Sequence, residues 1–215
     1  MTITRHTSKV SPEARQQLVQ QNGGGLWITG LSASGKSTLA MALERRLVHS
    51  GRPAFVLDGD NLRYGLCGDL GFTPEDRQEN IRRAGHVMAL MAQSGLVSIG
   101  SFISPYARDR AAVRALFDAP PLNARFAEIY VSTTLDVCEA RDPKGLYRKA
   151  RAGELQRFTG ISAPYEAPTD ADLVIDMGHV SVADAVEKAL ALLQERAIIP
   201  QGSGILPASN IERND

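Results

Sequence analysis

The chain has 215 residues, 43% of them hydrophobic, and its 24 Lys and Arg residues balance 24 Asp and Glu residues. This composition predicts one domain with a two-sided core, and zero net charge argues against a nucleic-acid-binding surface. No apolar run is long enough for a membrane span or resembles a signal peptide, and the two cysteines and four histidines lack metal-ligand spacing. We therefore expect a cytoplasmic protein that binds neither nucleic acid nor a membrane.

The first half of the chain alternates apolar runs with helical patterns. Residues 1–22 form a polar segment with a helix predicted over 12–19, because Ser11 can cap it and Pro12 suits the first turn. The elements predicted next are strand 26–29, a helix from Thr38 to about Ser50, strand 54–57 and helix 76–93.

The second half continues the alternation and ends in a tail, residues 200–215, that is expected to be flexible. The predicted elements are strand 96–102, helix 108–117, strand 126–131, a short helix 145–152, strand 173–175 and helix 182–195. Alternating strands and helices imply right-handed crossovers. The predicted fold of residues 23–199 is α/β, a three-layer sandwich in which a parallel five-stranded sheet has helices on both faces.

Ligands of such sheets bind beyond the carboxyl ends of the strands. The loops expected to carry the chemistry are therefore 30–37, 58–63, 104–106 and the long segment 141–168. Because segment 141–168 is too long for an ordinary connection, we predict that it is a closing lid.

The most specific motif is G-x-x-x-x-G-K-S, which lies between a predicted strand and a predicted helix and is typical of phosphate-binding loops. Its members, with the next residue, are Gly30, Leu31, Ser32, Ala33, Ser34, Gly35, Lys36, Ser37 and Thr38. The glycines let backbone N–H groups turn toward phosphate oxygens, and the helix N-terminus adds positive charge. Lys36 is suited to the β- and γ-phosphates and the Ser37 hydroxyl to Mg²⁺. The motif predicts binding of a nucleoside triphosphate such as ATP.

Two carboxylates separate the possible classes of nucleotide-dependent protein. Asp58 and Asp60 follow the second strand, whereas the third strand ends without an acid, unlike the pattern of many motor or switch ATPases. The N-K-x-D motif of guanine recognition is absent from the sequence. An acid close to an acceptor hydroxyl is typical of a small-molecule kinase.

Further motifs follow in one order. They are LDGDNLR at 57–63, DLGF at 69–72, DRQENIRR at 76–83, FISPY at 102–106, RDPKGLYRKARAG at 141–153 and FTGI at 158–161. With the phosphate loop they resemble the adenylylsulfate kinases of the P-loop kinase family, over roughly two-thirds of the chain. The resemblance implies transfer of the ATP γ-phosphate to the ribose 3′-hydroxyl of adenylyl sulfate, with Mg²⁺ as cofactor.

The resemblance also implies an acceptor site. Arg63 and Arg77 would bind the phosphosulfate and Asn80 a phosphate or the ribose, while Phe72 and Phe158 would sandwich the second adenine. Without the family, ordinary core packing is the simpler interpretation of the two phenylalanines.

The resemblance implies catalytic roles as well. Asp60 is the candidate base for the 3′-hydroxyl, with Asp58 as a metal or water-orienting partner, although their roles could be reversed. Lys144 would neutralise phosphate charge during transfer, and Arg141 would pack near the ATP adenine.

Ser104 corresponds to a serine that is described in the family as a phosphoserine intermediate. Direct in-line transfer of the phosphoryl group needs no such intermediate. We expect Ser104 instead to bind substrate through its hydroxyl or its backbone N–H, with Ile103 beside it.

Several residues depart from the family pattern. Ala33 replaces a usual glycine, which is tolerable if φ there is below zero. Tyr64, Cys67, Ala107 and Ser162 also differ, which affects acceptor affinity more than the phosphoryl-transfer core.

The sequence leaves two alternatives open. One is a kinase of the same architecture for a nucleoside monophosphate or a sugar acid, and the other is a catalytically silent nucleotide-binding regulator. The family implies a homodimer, and the sequence leaves open whether the chain works alone or with an ATP sulfurylase.

Overall fold

The computed structural model describes residues 4, 6 and 8–201, and the predicted tail lies outside the described residues from position 202 onward. Five strands form one parallel sheet in the order β2-β3-β1-β4-β5. The strands are β1 Gly24–Gly30, β2 Ala54–Asp58, β3 Val97–Ser101, β4 Phe126–Val131 and β5 Leu173–Ile175. The helices in the described residues are α1 Pro12–Val19, α2 Lys36–His49, α3 Gly59–Leu62, α4 Pro74–Gln93, α5 Ala107–Ala115, α6 Leu135–Arg141, α7 Leu146–Arg151 and α8 Val182–Glu195.

The predicted α/β fold with five parallel strands is confirmed, and two helices were missed. α3 is a single turn whose N-cap is Asp58, because the Asp58 side chain accepts a hydrogen bond from the Asp60 N–H. α6 has seven residues and no side-chain cap. Both are too short for an apolar period of 3.6 residues to stand out from the sequence.

The central strand β1 explains the three layers, since every one of its residues is buried. Leu26 and Ile28 pack into the core on the side of α2 and α8. Trp27 points to the opposite face, packs with α4 and stacks on Phe102 with ring centroids 4.7 Å apart. This period of two, buried on both sides, is the pattern expected of a central parallel strand.

The amino and carboxyl ends of the parallel strands form opposite edges of the sheet with different surroundings. At the amino edge, Gln21 donates to the carbonyl oxygens of Pro53 and Gly95, which fixes the chain between α1 and β1. At the carboxyl edge, the ends of β1, β2 and β3 lie side by side because the strands are parallel. The phosphate-binding motif and Asp58 are thereby brought to one place.

No helix in the described part of the chain is long and apolar enough to cross a membrane.

Candidate active site

A cavity of about 1110 Å³ lies at the carboxyl edge of the sheet. One end is lined by residues 32, 33 and 35–38 of the phosphate-binding loop and by residues 177 and 180–182. The other end is lined by Phe72, Arg77, Asn80 and Phe158, and the acids after β2 lie along the wall between them. The cavity is larger than one small ligand ordinarily needs.

Side chains from outside the phosphate-binding loop fix the orientation of its backbone. The Tyr147 hydroxyl donates to the Ser32 carbonyl oxygen at 2.9 Å, and Thr133 Oγ1 donates to the Ser34 carbonyl oxygen at 2.9 Å. In a trans peptide the N–H points opposite to the C=O. The N–H groups that follow these carbonyls therefore point away from Tyr147 and Thr133, as an anion-binding loop requires.

Ala33 departs from the expectation for this loop. Its φ is +58°, so the expected negative φ is not found there. The loop turns through a left-handed conformation here, as Gly35 also does at φ +108°. An L side chain in this region costs roughly 1–2 kcal/mol, which Ala33 carries and glycine would not.

Lys36 is a buried cation at the start of α2. Its Nζ donates to the Leu31 carbonyl oxygen at 2.6 Å, and burial lowers the pKa of Lys36 from 10.5 to about 8. Because the folded value lies below the unfolded one, the unfolded chain binds more protons between these pH values. The contribution of Lys36 to the free energy of unfolding therefore rises with pH from about 8 to 10.5.

Ser37 and Asp58 form a pair of hard oxygen donors beneath the loop. The Ser37 hydroxyl donates to Asp58 Oδ2 at 2.7 Å, and the other Asp58 oxygen accepts from the Asp60 N–H at 3.0 Å. Hydroxyl and carboxylate oxygens next to a phosphate-binding loop suit Mg²⁺, which takes few protein ligands and completes its shell with water and phosphate oxygens.

Asp60 and Lys144 both line the cavity and contact each other. Asp60 lies on α3 and Lys144 precedes α7, and their side chains form an ion pair although both are mostly exposed. The hydrogen bond to Asp60 raises the pKa of Lys144. The structure thus brings together the predicted base and the predicted phosphate-neutralising lysine.

Phe72 presents a flat apolar surface at the other end of the cavity. Its side chain is 62% exposed, and the Arg63 guanidinium lies 4.2 Å from its ring centroid. Arg63 also donates to the carbonyl oxygens of Leu70 and Gly71, which fixes the turn before Phe72. The predicted Phe72 platform is therefore not a core side chain.

Phe158 and Arg77 join the predicted lid segment (residues 141–168, called the lid segment below) to this end of the cavity. Phe158 packs edge-on against Tyr147 with centroids 5.0 Å apart, and its N–H donates to Ser162 Oγ. Ser162, a departure from the family pattern, thus orders the turn that carries Phe158. Arg77 donates to the Phe72 and Arg157 carbonyl oxygens at 3.1 and 3.3 Å.

Asn80 carries an unsatisfied donor. The residue is 4% exposed and lines the cavity, and its Nδ2 has no hydrogen-bond partner among the described residues. A buried polar group without a partner costs roughly 1–3 kcal/mol, which a ligand oxygen would recover.

Arg141 lies at the end of the cavity that the phosphate-binding loop lines. Its guanidinium donates to the Met177 carbonyl oxygen at 2.6 Å and to the Ser34 carbonyl oxygen at 3.3 Å. It thereby joins the phosphate-binding loop to the turn after β5, a position consistent with its predicted place near a nucleotide base.

Ser104 has its hydroxyl turned into the core. It accepts from Trp27 Nε1 at 3.0 Å and donates to Thr29 Oγ1 at 2.8 Å, and its φ is +38°. The expectation that the hydroxyl binds substrate is at odds with this geometry, because the hydroxyl hydrogen is already donated to Thr29. A role for the Ser104 backbone N–H and for Ile103, both at the cavity, stays a prediction.

Thr133 and Tyr147 were not identified as site residues from the sequence. Thr133 follows β4 at its carboxyl end, so the loop rule applied to the other strands would have indicated it. Tyr147 lies in the RDPKGLYRKARAG motif, but nothing local shows that its hydroxyl reaches the phosphate-binding loop.

Comparisons with known proteins show the family of the chain. A sequence model of the family described as adenylylsulphate kinase matches residues 22–176. An adenylyl-sulfate kinase of Shewanella pealeana is 53% identical over 197 residues, which are 92% of this chain and 94% of that protein. The structure of Mycobacterium tuberculosis APS kinase in complex with AMPPNP and APS has a TM-score of 0.76 at 46% identity, and covers 81% of this chain and 99% of that one.

A hexameric APS kinase from Thiobacillus denitrificans is also similar. Its TM-score is 0.61 at 30% identity, and the match covers 89% of this chain but 34% of that longer chain. The resemblance inferred from the sequence motifs is confirmed by these matches.

We expect Ala33→Gly to raise the free energy of unfolding by roughly 0.5–1 kcal/mol, because relief of the left-handed strain exceeds the entropy that glycine adds to the unfolded chain. Urea unfolding measures the change. Ala112→Gly, at an exposed position inside α5, is the matched control and should lose a similar amount. A less stable Ala33→Gly variant would contradict the strain argument.

We expect ATP affinity to fall as pH rises above about 8, by up to about tenfold per pH unit, because Lys36 must be protonated to attract phosphate. Calorimetry in two buffers of different ionisation enthalpy should show proton uptake on binding near pH 8.5. Lys36→Ala should bind more weakly at pH 7 and lose this dependence. Equal wild-type affinity at pH 7 and 9.5 would refute the assignment.

Proposed function

We propose that this chain, which belongs to the adenylylsulphate kinase family, transfers the γ-phosphate of ATP to the ribose 3′-hydroxyl of adenylyl sulfate. The observation that carries the proposal is one cavity that joins a phosphate-binding loop to an aromatic and cationic acceptor end, with the Asp60–Lys144 pair between them. The related kinase solved with AMPPNP and APS supports two ligands of these types.

ATP is proposed to bind through residues 30–38, with its phosphates on the loop N–H groups and Lys36, and its base near Arg141. Ser37 and Asp58 would hold Mg²⁺. When bound, the ion neutralises phosphate charge. Lys36 exchanges its bond to the Leu31 carbonyl for a phosphate oxygen, which forms the stronger, charge-assisted interaction.

Adenylyl sulfate is proposed to bind at the opposite end. Phe72 offers an exposed ring for stacking, and Phe158 closes from the lid segment. Arg63 and Arg77 supply planar donors for the phosphosulfate. Asn80 Nδ2 is buried without a partner, so an acceptor oxygen there would satisfy it.

The proton of the 3′-hydroxyl is proposed to pass to Asp60. Both Asp58 oxygens are engaged, one by Ser37 and one by the Asp60 N–H, whereas the Asp60 carboxylate faces the cavity. Separation of the Asp60–Lys144 pair provides both a base for the hydroxyl and a cation for the transferred phosphoryl group. This division of roles favours Asp60 over Asp58 as the base.

The other assignments follow from the same proposal. Residues 141–168 act as the lid of the domain 23–199. The chain self-associates as a homodimer, which light scattering would test. The Thiobacillus denitrificans relative is described as hexameric. An ATP sulfurylase is the class of enzyme that would supply adenylyl sulfate. A cytoplasmic location agrees with Cys67 and Cys138, which are buried free thiols.

A coupled ADP-release assay with adenylyl sulfate, a nucleoside monophosphate and gluconate as acceptors tests the function. Of the three acceptors, we expect only adenylyl sulfate to support turnover with ATP. The Lys36→Ala variant should show no turnover, because it loses the phosphate-binding cation. Faster turnover with another acceptor would indicate a different kinase, and no turnover with any acceptor would favour a silent regulator.

We expect Asp60→Asn to lower kcat by roughly 10²–10⁴-fold with little change in ATP affinity, because a base acts in the chemical step. Asp58→Asn is the comparison and should instead weaken Mg²⁺ binding, so that a higher Mg²⁺ concentration is needed for half-maximal activity. If Asp58→Asn costs more in kcat at saturating Mg²⁺, the two roles are reversed.

We expect Ser104→Ala to keep measurable turnover and to lose stability, because it leaves the buried Trp27 N–H unsatisfied, at roughly 1–3 kcal/mol. γ-Labelled ATP without acceptor should not label the wild-type protein. Labelling of Ser104 at a rate that matches turnover would establish the phosphoserine route.

A further inference from the structure

The end of the lid segment is fastened to the acceptor loop, defined as Phe102–Pro105 after β3. The Glu166 N–H donates to the Pro105 carbonyl oxygen at 2.8 Å. Glu166 Oε2 accepts from the Ala107 N–H at 2.7 Å, at the first residue of α5. Chain segments about 60 residues apart in sequence are thus joined by one backbone–backbone hydrogen bond and one backbone–side-chain hydrogen bond.

A buried chain of side chains makes a second connection. Trp27 donates to Ser104, Ser104 donates to Thr29, and Thr29 donates to the Ile103 carbonyl oxygen at 2.8 Å. Since this uses the only hydroxyl hydrogen of Thr29, the Tyr165 hydroxyl, 3.0 Å from Thr29 Oγ1, must be the donor between them. Burial raises the pKa of Tyr165, which keeps that hydroxyl protonated.

Arg110 makes the third connection. Its guanidinium is 4% exposed and donates to the Ser104 and Glu166 carbonyl oxygens, each at 2.8 Å. Arg110 Nε lies 3.0 Å from Glu128 Oε1, so the buried charge is paired. One planar side chain therefore holds a carbonyl of the acceptor loop and a carbonyl of the lid segment at a fixed separation.

We propose that Tyr165 and Arg110 are positioning residues that fix the acceptor loop against the end of the lid segment. Lid motion is then confined to residues before Tyr165, and the acceptor loop keeps its place when the lid opens. This inference rests on the proposed function. Neither side chain lines the cavity, so both act through the backbone they hold.

Tyr165→Phe is the sharpest test, because it deletes one hydroxyl and keeps the ring stacked on Tyr130, 6.0 Å away between centroids. We expect the KM for adenylyl sulfate to rise about two- to tenfold, the effect of one hydrogen bond, while the KM for ATP stays within twofold. Tyr130→Phe is the matched control, since it removes a hydroxyl from the other ring of the stack, and should leave both values unchanged.

Hydrogen exchange reports on the same connection without substrate. In Tyr165→Phe the amides of Tyr165, Glu166 and Ala167 should exchange faster than in wild type, because the bond from Glu166 to Pro105 opens more often. Arg110→Lys keeps the charge next to Glu128 but lacks the planar fork that holds both carbonyls. It should likewise raise the KM for adenylyl sulfate and leave the KM for ATP within twofold. If Arg110→Lys does not fold, Tyr165→Phe alone decides.

The outcomes separate the two proposals. If wild type does not phosphorylate adenylyl sulfate, the proposed function fails, and amide exchange at 165–167 still tests the connection. If wild type is active and Tyr165→Phe leaves both KM values and the exchange unchanged, the positioning role is refuted. An equal rise of both KM values would also refute it, since that is the effect of general destabilisation.

Discussion

The site depends on cationic side chains that are held beside the cavity by hydrogen bonds weak enough for a ligand to replace. Lys36 and Arg141 each donate to a backbone carbonyl oxygen at 2.6 Å, from Leu31 and Met177 respectively. A carbonyl carries only partial charge, so it orients the cation while a phosphate oxygen can displace it. Lys144 differs because its partner is the full carboxylate of Asp60, and displacement there would also free the proposed base.

This arrangement explains why the phosphate-binding loop needs support from distant parts of the chain. The motif predicted the loop because glycines, lysine and serine at fixed spacing have few other uses. It could not predict φ at Ala33, since the carbonyls on either side are held by Tyr147 and Thr133, more than 90 residues away in sequence. Local sequence gives the loop its capacity to turn, and tertiary contacts select the turn.

The same distinction applies to the fold. The strands were predicted because buried parallel strands are short apolar runs between turn residues, and α4 because twenty residues show its period. α3 and α6 were missed because a cap and tertiary packing, rather than periodicity, decide a helix of four to seven residues. At the acceptor end, the roles of Phe72 and Phe158 came from the family resemblance; exposure of Phe72 at the cavity is what separates a platform from a core side chain.

Ser104 shows how a motif can identify a position and mislead about its chemistry. The sequence allowed a nucleophile or a substrate ligand, yet the hydroxyl accepts from an indole and donates to Thr29, neither of which is a base at neutral pH. Turning it toward a phosphate would leave the Trp27 N–H buried without a partner and would break the chain that reaches Tyr165. The contacts that occupy the Ser104 hydroxyl are thus the ones proposed to hold the acceptor loop, so the proposed direct transfer to an acceptor hydroxyl, assisted by Asp60, is the route that leaves the loop intact.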